Sequence, residues 1–293
     1  MTSRRGFLVG GALASFGFAN LARAGSKQEA FSYDMKIIEA GIKGRLGVSI
    51  LDTKTGTRFD YRADERFPMC STFKLLASAT LLARVDERKE KLDRRVIYTK
   101  DDLVEYSPTT GKHAGEGMTL AGLCEAAITL SDNTAGNLIL AALGGPAAVT
   151  EFARSLGDPV TRLDRNEPTV NESLPGDPRD TTTPAMMTED IRKLVLGDAL
   201  KAPSRKQLTD WMLASKTGGK RLRAGLPADW RIGDKTGTGE RGTTNDVGVI
   251  WPEQGAPVVA SVYLTNTSAP REACNAVIAA VGQRIATIVR SAK

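Results

Sequence analysis

Ser71 and Lys74 stand three residues apart at the start of an almost wholly apolar segment, Ser71-Thr72-Phe73-Lys74-Leu75-Leu76. On a helix, residues i and i+3 share a face, so the lysine amine can reach the serine hydroxyl. Apolar surroundings disfavour the ammonium and leave an amine able to activate a serine nucleophile without histidine. Taken alone, the pair is equally a helix start with a snorkelling lysine. Its meaning depends on the other polar groups of the chain.

His113 is the single histidine. A histidine-rich zinc site is therefore impossible, and a Ser-His-Asp triad would need His113 itself. That residue lies in the polar run Thr109 to Gly115 and reads as a surface residue. Cys70, Cys124 and Cys274 are an odd count, so at least one thiol is free unless it pairs between molecules, and no disulfide framework is implied. Cys70 adjoins Ser71 but reads as a small core filler.

Ser131-Asp132-Asn133 follows sixty residues after Ser71, between two helical patterns. Ser131 offers a second hydroxyl for proton relay, and Asn133 an amide for a substrate carbonyl and for Lys74. Asp132 can hold the turn through backbone contacts. Lys-Thr-Gly occurs three times. Lys54-Thr55-Gly56 and Lys216-Thr217-Gly218 are explained as turn chemistry. Lys235-Thr236-Gly237 follows a strand pattern and runs into Thr238-Gly239, where it can aim side chains from a sheet edge toward a cleft.

The elements that must position these residues are readable from periodicity. Phe31 to Ile42 patterns as an amphipathic helix, and Leu46, Val48 and Ile50 alternate in a strand turning at Asp52 to Gly56. Helical patterns follow from Phe73 to Leu82, apolar nearly all round, then at Leu120 to Leu130, Thr134 to Leu143, Pro146 to Leu156, Met187 to Leu194 and Ser204 to Ala214, with a polar loop from Asp158 to Asp180. Strand patterns return at Trp230 to Gly233, Thr243 to Trp251 and Val258 to Leu264, the last two joined as a hairpin. Glu272 to Val289 is a helix whose Val277, Val281, Ile285 and Ile288 stripe should pack on a sheet.

Strands at both ends around a helical middle predict an α/β (α+β) fold. Residues 26–62 and 218–293 would form a discontinuous α/β lobe, an antiparallel sheet flanked by N- and C-terminal helices. Residues 63–217 would form an inserted all-α lobe, with the site in the cleft between the two.

The set S-x-x-K, S-D-N and K-T-G in this order resembles the serine β-lactamases and penicillin-binding proteins. A fourth element, Arg162-Leu163-Asp164-Arg165-Asn166-Glu167-Pro168-Thr169-Val170-Asn171, resembles the start of the class A β-lactamase Ω-loop, here 162–180. The resemblance covers essentially residues 26 to 290. It implies Ser71 as nucleophile, Lys74 and Ser131 as proton carriers, and Glu167 with Asn171 around a hydrolytic water. The backbone N–H groups of Ser71 and Thr238 would form the oxyanion hole. Asn133, Lys235, Thr236, Thr238, Arg221 and Tyr106 would bind substrate.

Thr244 stands where many members carry a carboxylate-binding arginine, and Arg221 matches the alternative position used by others. Cys124 and Cys70 match cysteines that form bridges in some relatives, but Ser78 and Gly239 stand at the partner positions. The resemblance further implies a small-molecule β-lactam substrate, no cofactor or metal, and a monomer. A D-Ala-D-Ala carboxypeptidase or transpeptidase shares the first three motifs without reason for the Glu167 loop. A non-hydrolytic β-lactam-binding sensor would acylate and stay acylated.

Composition sets the remaining bounds. The 293 residues, 41% hydrophobic and 25% charged, suit an ordinary globular chain. The net charge of +6 falls to +3 when Arg4, Arg5 and Arg23 of residues 1–24 are set aside, too mild to suggest nucleic acid. Residues 1–24 hold paired arginines before Phe7-Leu8, a short Gly/Ala-rich apolar run and Ala22-Arg23-Ala24. They read as an export signal whose paired arginines resemble the twin-arginine type, with an ordinary Sec signal as the alternative, and either implies a periplasmic protein with no stable membrane association.

Overall fold

The computed structural model describes residues 12–291, with side chains from Lys27 onward. The export segment expected over 1–24 lies outside these, apart from the helical backbone of its second half. Helix α1 (Ala12–Ile42) begins earlier than the Phe31 expected from periodicity, and its Phe31 and Met35 are buried. Among the described residues, no helix is long and apolar enough to cross a membrane.

Five strands form one antiparallel sheet: β1 (Arg45–Asp52), β2 (Arg58–Tyr61), β3 (Arg231–Thr238), β4 (Thr244–Trp251) and β5 (Val258–Thr265). Their order is β2-β1-β5-β4-β3, which pairs the N-terminal hairpin with the last strand and leaves β3 at an edge. Arg45 faces Thr265, and Asp52 faces Val258 along the β1–β5 ladder. The third Lys-Thr-Gly does not follow a strand. It lies inside β3, which runs four residues past Asp234 because Lys235 to Thr238 pair with Val247 to Thr244.

Both faces of the sheet are covered. Leu46, Val48 and Ile50 of β1 pack toward α1 and the C-terminal helix, joined there by Val262, Ile278, Val281 and Ile285. That is the packing expected of the stripe on the last helix, each buried aliphatic side chain contributing about 1.5–3 kcal/mol. Val247, Val249, Val259 and Tyr263 point the other way, into the larger core of the helical middle.

The middle begins with α2 (Phe73–Asp86), entered through a 3-10 turn at Cys70–Thr72. Every residue from Phe73 to Leu82 is buried, Lys74 included, as the all-round apolar pattern requires. Next come α3 (Leu120–Thr129), α4 (Asn133–Leu143), α5 (Ala147–Ser155), α6 (Pro184–Ile191) and α7 (Ala202–Leu213). A short α8 (Leu222–Gly225) leads into β3, and α9 (Arg271–Arg290) closes the chain. The helix expected to continue to Leu194 ends at Ile191 and passes into a π-turn over Arg192–Leu196.

One buried acid pair lies apart from the sequence motifs. Asp158, just after α5, accepts from the Val160 and Thr161 amides at 2.6 and 3.0 Å, and Asp190 of α6 lies beside it. Burial, then the charge of Asp158, pushes the Asp190 carboxyl up to about 9. An unfolded aspartate titrates near ~3.9, so between roughly pH 4 and 9 the folded chain holds a proton that the unfolded chain has released. Stability from this group is therefore full at acid pH and lost as pH rises through that window. Asp190→Asn keeps the shape and a donor to Asp158 while removing the titration. Thermal melts across pH 4–9 should show it more stable than the parent by about 4 kcal/mol at pH 7, converging near pH 4. Parallel curves across that range would refute this assignment.

Candidate active site

Ser71 sits at the N-terminus of α2, 6% exposed, with Lys74 one turn on and fully buried. Lys74 Nζ donates to Ser71 Oγ at 2.8 Å, to the Ser131 carbonyl at 2.9 Å and to Asn133 Oδ1 at 2.7 Å. It also lies 2.9 Å from Glu167 Oε1. Burial pulls the Lys74 pKa down, Glu167 pulls it back up, and the net position is below the ordinary lysine value. Ser71 Oγ in turn donates to Glu167 Oε1 at 3.0 Å. The hydroxyl is thus held between an amine and a carboxylate, both able to take its proton.

The turn before α4 is built by Asp132. Its carboxylate accepts from the Thr109 and Thr110 amides, the Thr110 hydroxyl and the Ala135 amide, all between 2.7 and 2.9 Å. That cap holds Ser131 in the left-handed region at φ 61° and turns Asn133 toward Lys74. Tyr106 is 57% exposed and joins this cluster through its backbone, whose carbonyl accepts from the Asn133 amide at 3.0 Å.

Glu167 is brought in by the loop between α5 and α6. The loop is tied at its base by Arg165, which bonds Asp180 and Glu172, while the Asp180 carboxylate accepts from the Asp164 and Arg165 amides. Asn171 Nδ2 donates to Glu167 Oε2 at 2.5 Å. Asn137 of α4 was not singled out by sequence reasoning. Its amide nevertheless grips Glu167 twice, accepting from the backbone N–H at 2.9 Å and donating to the carbonyl at 3.0 Å. The i, i+4 spacing from Asn133 was the one available signal, since it places both amides on the same face of α4.

Edge strand β3 closes the other wall. Lys235 Nζ donates to Ser131 Oγ at 2.9 Å, and Thr236 Oγ1 to Thr217 Oγ1 at 2.6 Å. The second Lys-Thr-Gly is therefore part of this wall, not turn chemistry alone. Gly218 is required there because a Cβ would lie 1.7 Å from Asp234 Oδ2. Burial, then the charges of Lys74 and Arg221, holds Lys235 well below the usual lysine range. An arriving anion would reverse that balance, so the wall favours a carboxylate ligand.

Arg221 is 6% exposed and makes four hydrogen bonds behind β3, to Asn275 Oδ1, to the Gly237 and Asn245 carbonyls and to Thr238 Oγ1. The Thr238 hydroxyl accepts from the guanidinium at 2.6 Å and keeps its own proton to donate. The three thiols are free and buried. Burial pushes Cys70 up to about 12, which removes it as a competing nucleophile. A Cβ on Gly239 would lie 2.6 Å from Cys70 Sγ, so the absent bridge is a matter of residue type and not of distance.

The fold thus gathers Ser71, Lys74, Ser131, Asn133, Glu167, Asn171 and Lys235 into one hydrogen-bonded network, with Thr236, Thr238 and Arg221 along the adjoining strand. Such a site can attack a carbonyl with a serine, hold an anion and position a carboxylate beside the serine oxygen. Comparison with known proteins points the same way. Residues 31–289 match the family described as the beta-lactamase enzyme family. The chain is 53% identical to beta-lactamase OXY-2 of Klebsiella oxytoca, over 76% of this chain and 77% of that one. It is 45% identical to beta-lactamase L2 of Stenotrophomonas maltophilia, over 97% and 98% of the two chains. Among solved structures, an ancestral class A beta-lactamase superposes with a TM-score of 0.87 at 64% identity, covering 88% of this chain and 99% of that one.

Proposed function

The chain belongs to the class A β-lactamase family and is a β-lactam hydrolase, and from that premise we propose that it works through an acyl-enzyme on Ser71 released by water at Glu167. The observation that carries this reading is the placement of Ser71 Oγ 2.8 Å from Lys74 Nζ and 3.0 Å from Glu167 Oε1. Ser71 Oγ attacks the lactam carbonyl carbon, and its proton passes to the Lys74 and Glu167 pair. The tetrahedral oxyanion lies between the backbone N–H groups of Ser71 and Thr238, each such donor contributing about 3 kcal/mol. On collapse the C–N bond breaks, and the Ser131 hydroxyl, which accepts from Lys235 Nζ at 2.9 Å, delivers its proton to the departing ring nitrogen and is reprotonated from the Lys74 and Glu167 pair once substrate has drawn the groups together.

Deacylation uses a water held by Glu167 and Asn171. Glu167 takes its proton, hydroxide adds to the ester, and Ser71 leaves as alcohol. The substrate carboxylate is held by Lys235, Thr236 and Thr238, with Arg221 acting through the Thr238 hydroxyl instead of by direct contact. Asn133 and the exposed Tyr106 flank the acyl side chain. Paired arginines in residues 1–24 support export by the twin-arginine route to the periplasm, where hydrolysis would protect the cell wall synthesis machinery from β-lactams.

Ser71→Ala tests the reading directly. Against a chromogenic cephalosporin it should lose at least ~10⁴-fold in kcat and show no mass adduct with penicillin. Residual turnover close to the parent would remove Ser71 as nucleophile. Hydrolysis of a D-Ala-D-Ala pentapeptide without β-lactam turnover by the parent chain would support the peptidase reading instead.

A further inference from the structure

The two halves of the oxyanion hole proposed above come from different parts of the chain: the Ser71 amide from the start of α2, the Thr238 amide from β3. Something must fix their separation, because donors misplaced by a fraction of an ångström lose most of their effect on a developing oxyanion. Asn245 of β4 lies between them, fully buried and directly opposite Gly237 in the β3–β4 ladder. Its Nδ2 donates to the Pro68 carbonyl at 2.9 Å and to the Met69 carbonyl at 3.1 Å. Both partners are acceptors only, so the orientation of the amide is not ambiguous.

The segment it grips is under strain. Cys70, between Met69 and Ser71, has φ 44°, a conformation that costs a residue with a Cβ about 1 kcal/mol or more. Met69 is held from its other side by the Asp180 carbonyl, which accepts from its amide at 2.9 Å. The β3 backbone closes onto the same point, since a Cβ on Gly237 would lie 2.7 Å from the Met69 carbonyl and 3.1 Å from Asn245 Nδ2. The main chain of Asn245 is itself fixed to β3, because one Arg221 nitrogen donates to the Asn245 carbonyl at 2.6 Å and to the Gly237 carbonyl at 2.8 Å. Thr72 Oγ1 and Tyr263 OH, 3.4 Å apart, add a weaker link from the nucleophile turn to β5.

We propose that Asn245 is a positioning residue for catalysis: its side-chain amide is the strut that sets the spacing of the Ser71 and Thr238 N–H groups. It touches no substrate. It acts by tying the strained entry to the nucleophile onto the strand beside β3. The inference rests on the Ser71 acyl-enzyme reading, and its test separates the two.

In a Glu167→Ala background, which accumulates acyl-enzyme, Asn245→Ala is compared with the parent by infrared spectroscopy of the acyl carbonyl and by stopped-flow acylation with a chromogenic cephalosporin. A looser hole polarises the ester less. The carbonyl band should move to higher wavenumber and broaden, and acylation should slow by about 10–100-fold, because one oxyanion donor is typically worth about 10²–10³ in rate. The dissociation constant of the complex that precedes acylation, read from saturation of the acylation rate, should change little, since the carboxylate site on Lys235 and Thr236 is untouched. Asn245→Thr, which fills more of the space and lacks the long donor, is read in the same way and decides the matter if the alanine variant does not accumulate folded. An unshifted carbonyl band with acylation within twofold of the parent, whatever the melting temperature, would overturn the proposal. Absence of any adduct in the Glu167→Ala background would instead count against the acyl-enzyme reading itself.

Discussion

Glu167→Ala is expected to convert the enzyme into one that is acylated by penicillin and stays so. The Glu167 side chain is fully buried, is held by Asn137 through its backbone and by Asn171 through its carboxylate, and stands 3.0 Å from Ser71 Oγ. On the proposed mechanism, removing it deletes the group that takes a proton from the hydrolytic water, a contribution of about 10²–10⁴ for general base catalysis, and removes a ligand that places the water as well. Steady-state turnover should fall by at least ~10³-fold. Intact mass spectrometry seconds after mixing should show nearly all protein carrying one penicillin. Free enzyme with rapid full turnover would take Glu167 out of its role. The same variant divides the serine proton between the two neighbouring bases: acylation at the parent rate assigns it to Lys74, and a drop of ~100-fold or more assigns it to Glu167.

Lys74→Met should give the complementary failure, slow acylation. Methionine matches the length of the lysine stem and suits its apolar surroundings, but three interactions to Ser71, Ser131 and Asn133 disappear together with the charge facing Glu167. Ser71 Oγ loses the amine that donates to it, and the tie to the Ser131 carbonyl that helps hold that turn is cut. Second-order acylation with a chromogenic cephalosporin should fall by about 10³–10⁴-fold, while little adduct accumulates at any time. Stability should suffer too, since a buried carboxylate left without its cation costs about 3–5 kcal/mol. Acylation within tenfold of the parent would show that Lys74 is structural.

These two residues are legible in the sequence because their chemistry is local. Ser71 and Lys74 are one turn apart, and Glu167 and Asn171 four residues apart, so short spacing carries the geometry. The order of elements was legible for the same reason, with apolar alternation marking β1 and an unbroken apolar run marking α2. The length of β3 was not. Its final residues Lys235-Thr236-Gly237-Thr238 carry no apolar alternation, and they are strand only because Val247 to Thr244 offer them a ladder.

Thr217, Asn137 and Asn245 escaped for a related reason. Each is a single polar letter whose partner lies at least 19 residues away, and nothing local distinguishes it from a loop or surface residue. Arg221 was legible as a cation for the site but not as one bonded to the Thr238 hydroxyl, because that depends on which of its donors the β3 and β4 carbonyls already occupy.

The strand order β2-β1-β5-β4-β3 carries a consequence for how the chain reaches this state during synthesis. β1 leaves the ribosome with only the short β2 to pair with, and its other neighbour, β5, is encoded some 200 residues later. At about 5–20 residues per second the interval is on the order of 10–40 s. For that time one edge of β1 remains an open template of apolar residues, the kind of surface that pairs with other chains. Long-range pairings of this kind also slow folding itself, because the closure of a long loop precedes any gain from the contacts it makes. The helical middle, rich in local contacts, can form while it waits. The Lys235 wall cannot, so the nucleophile turn is built well before the strand that completes its pocket, and no nascent chain can be active until its last sixty residues have emerged.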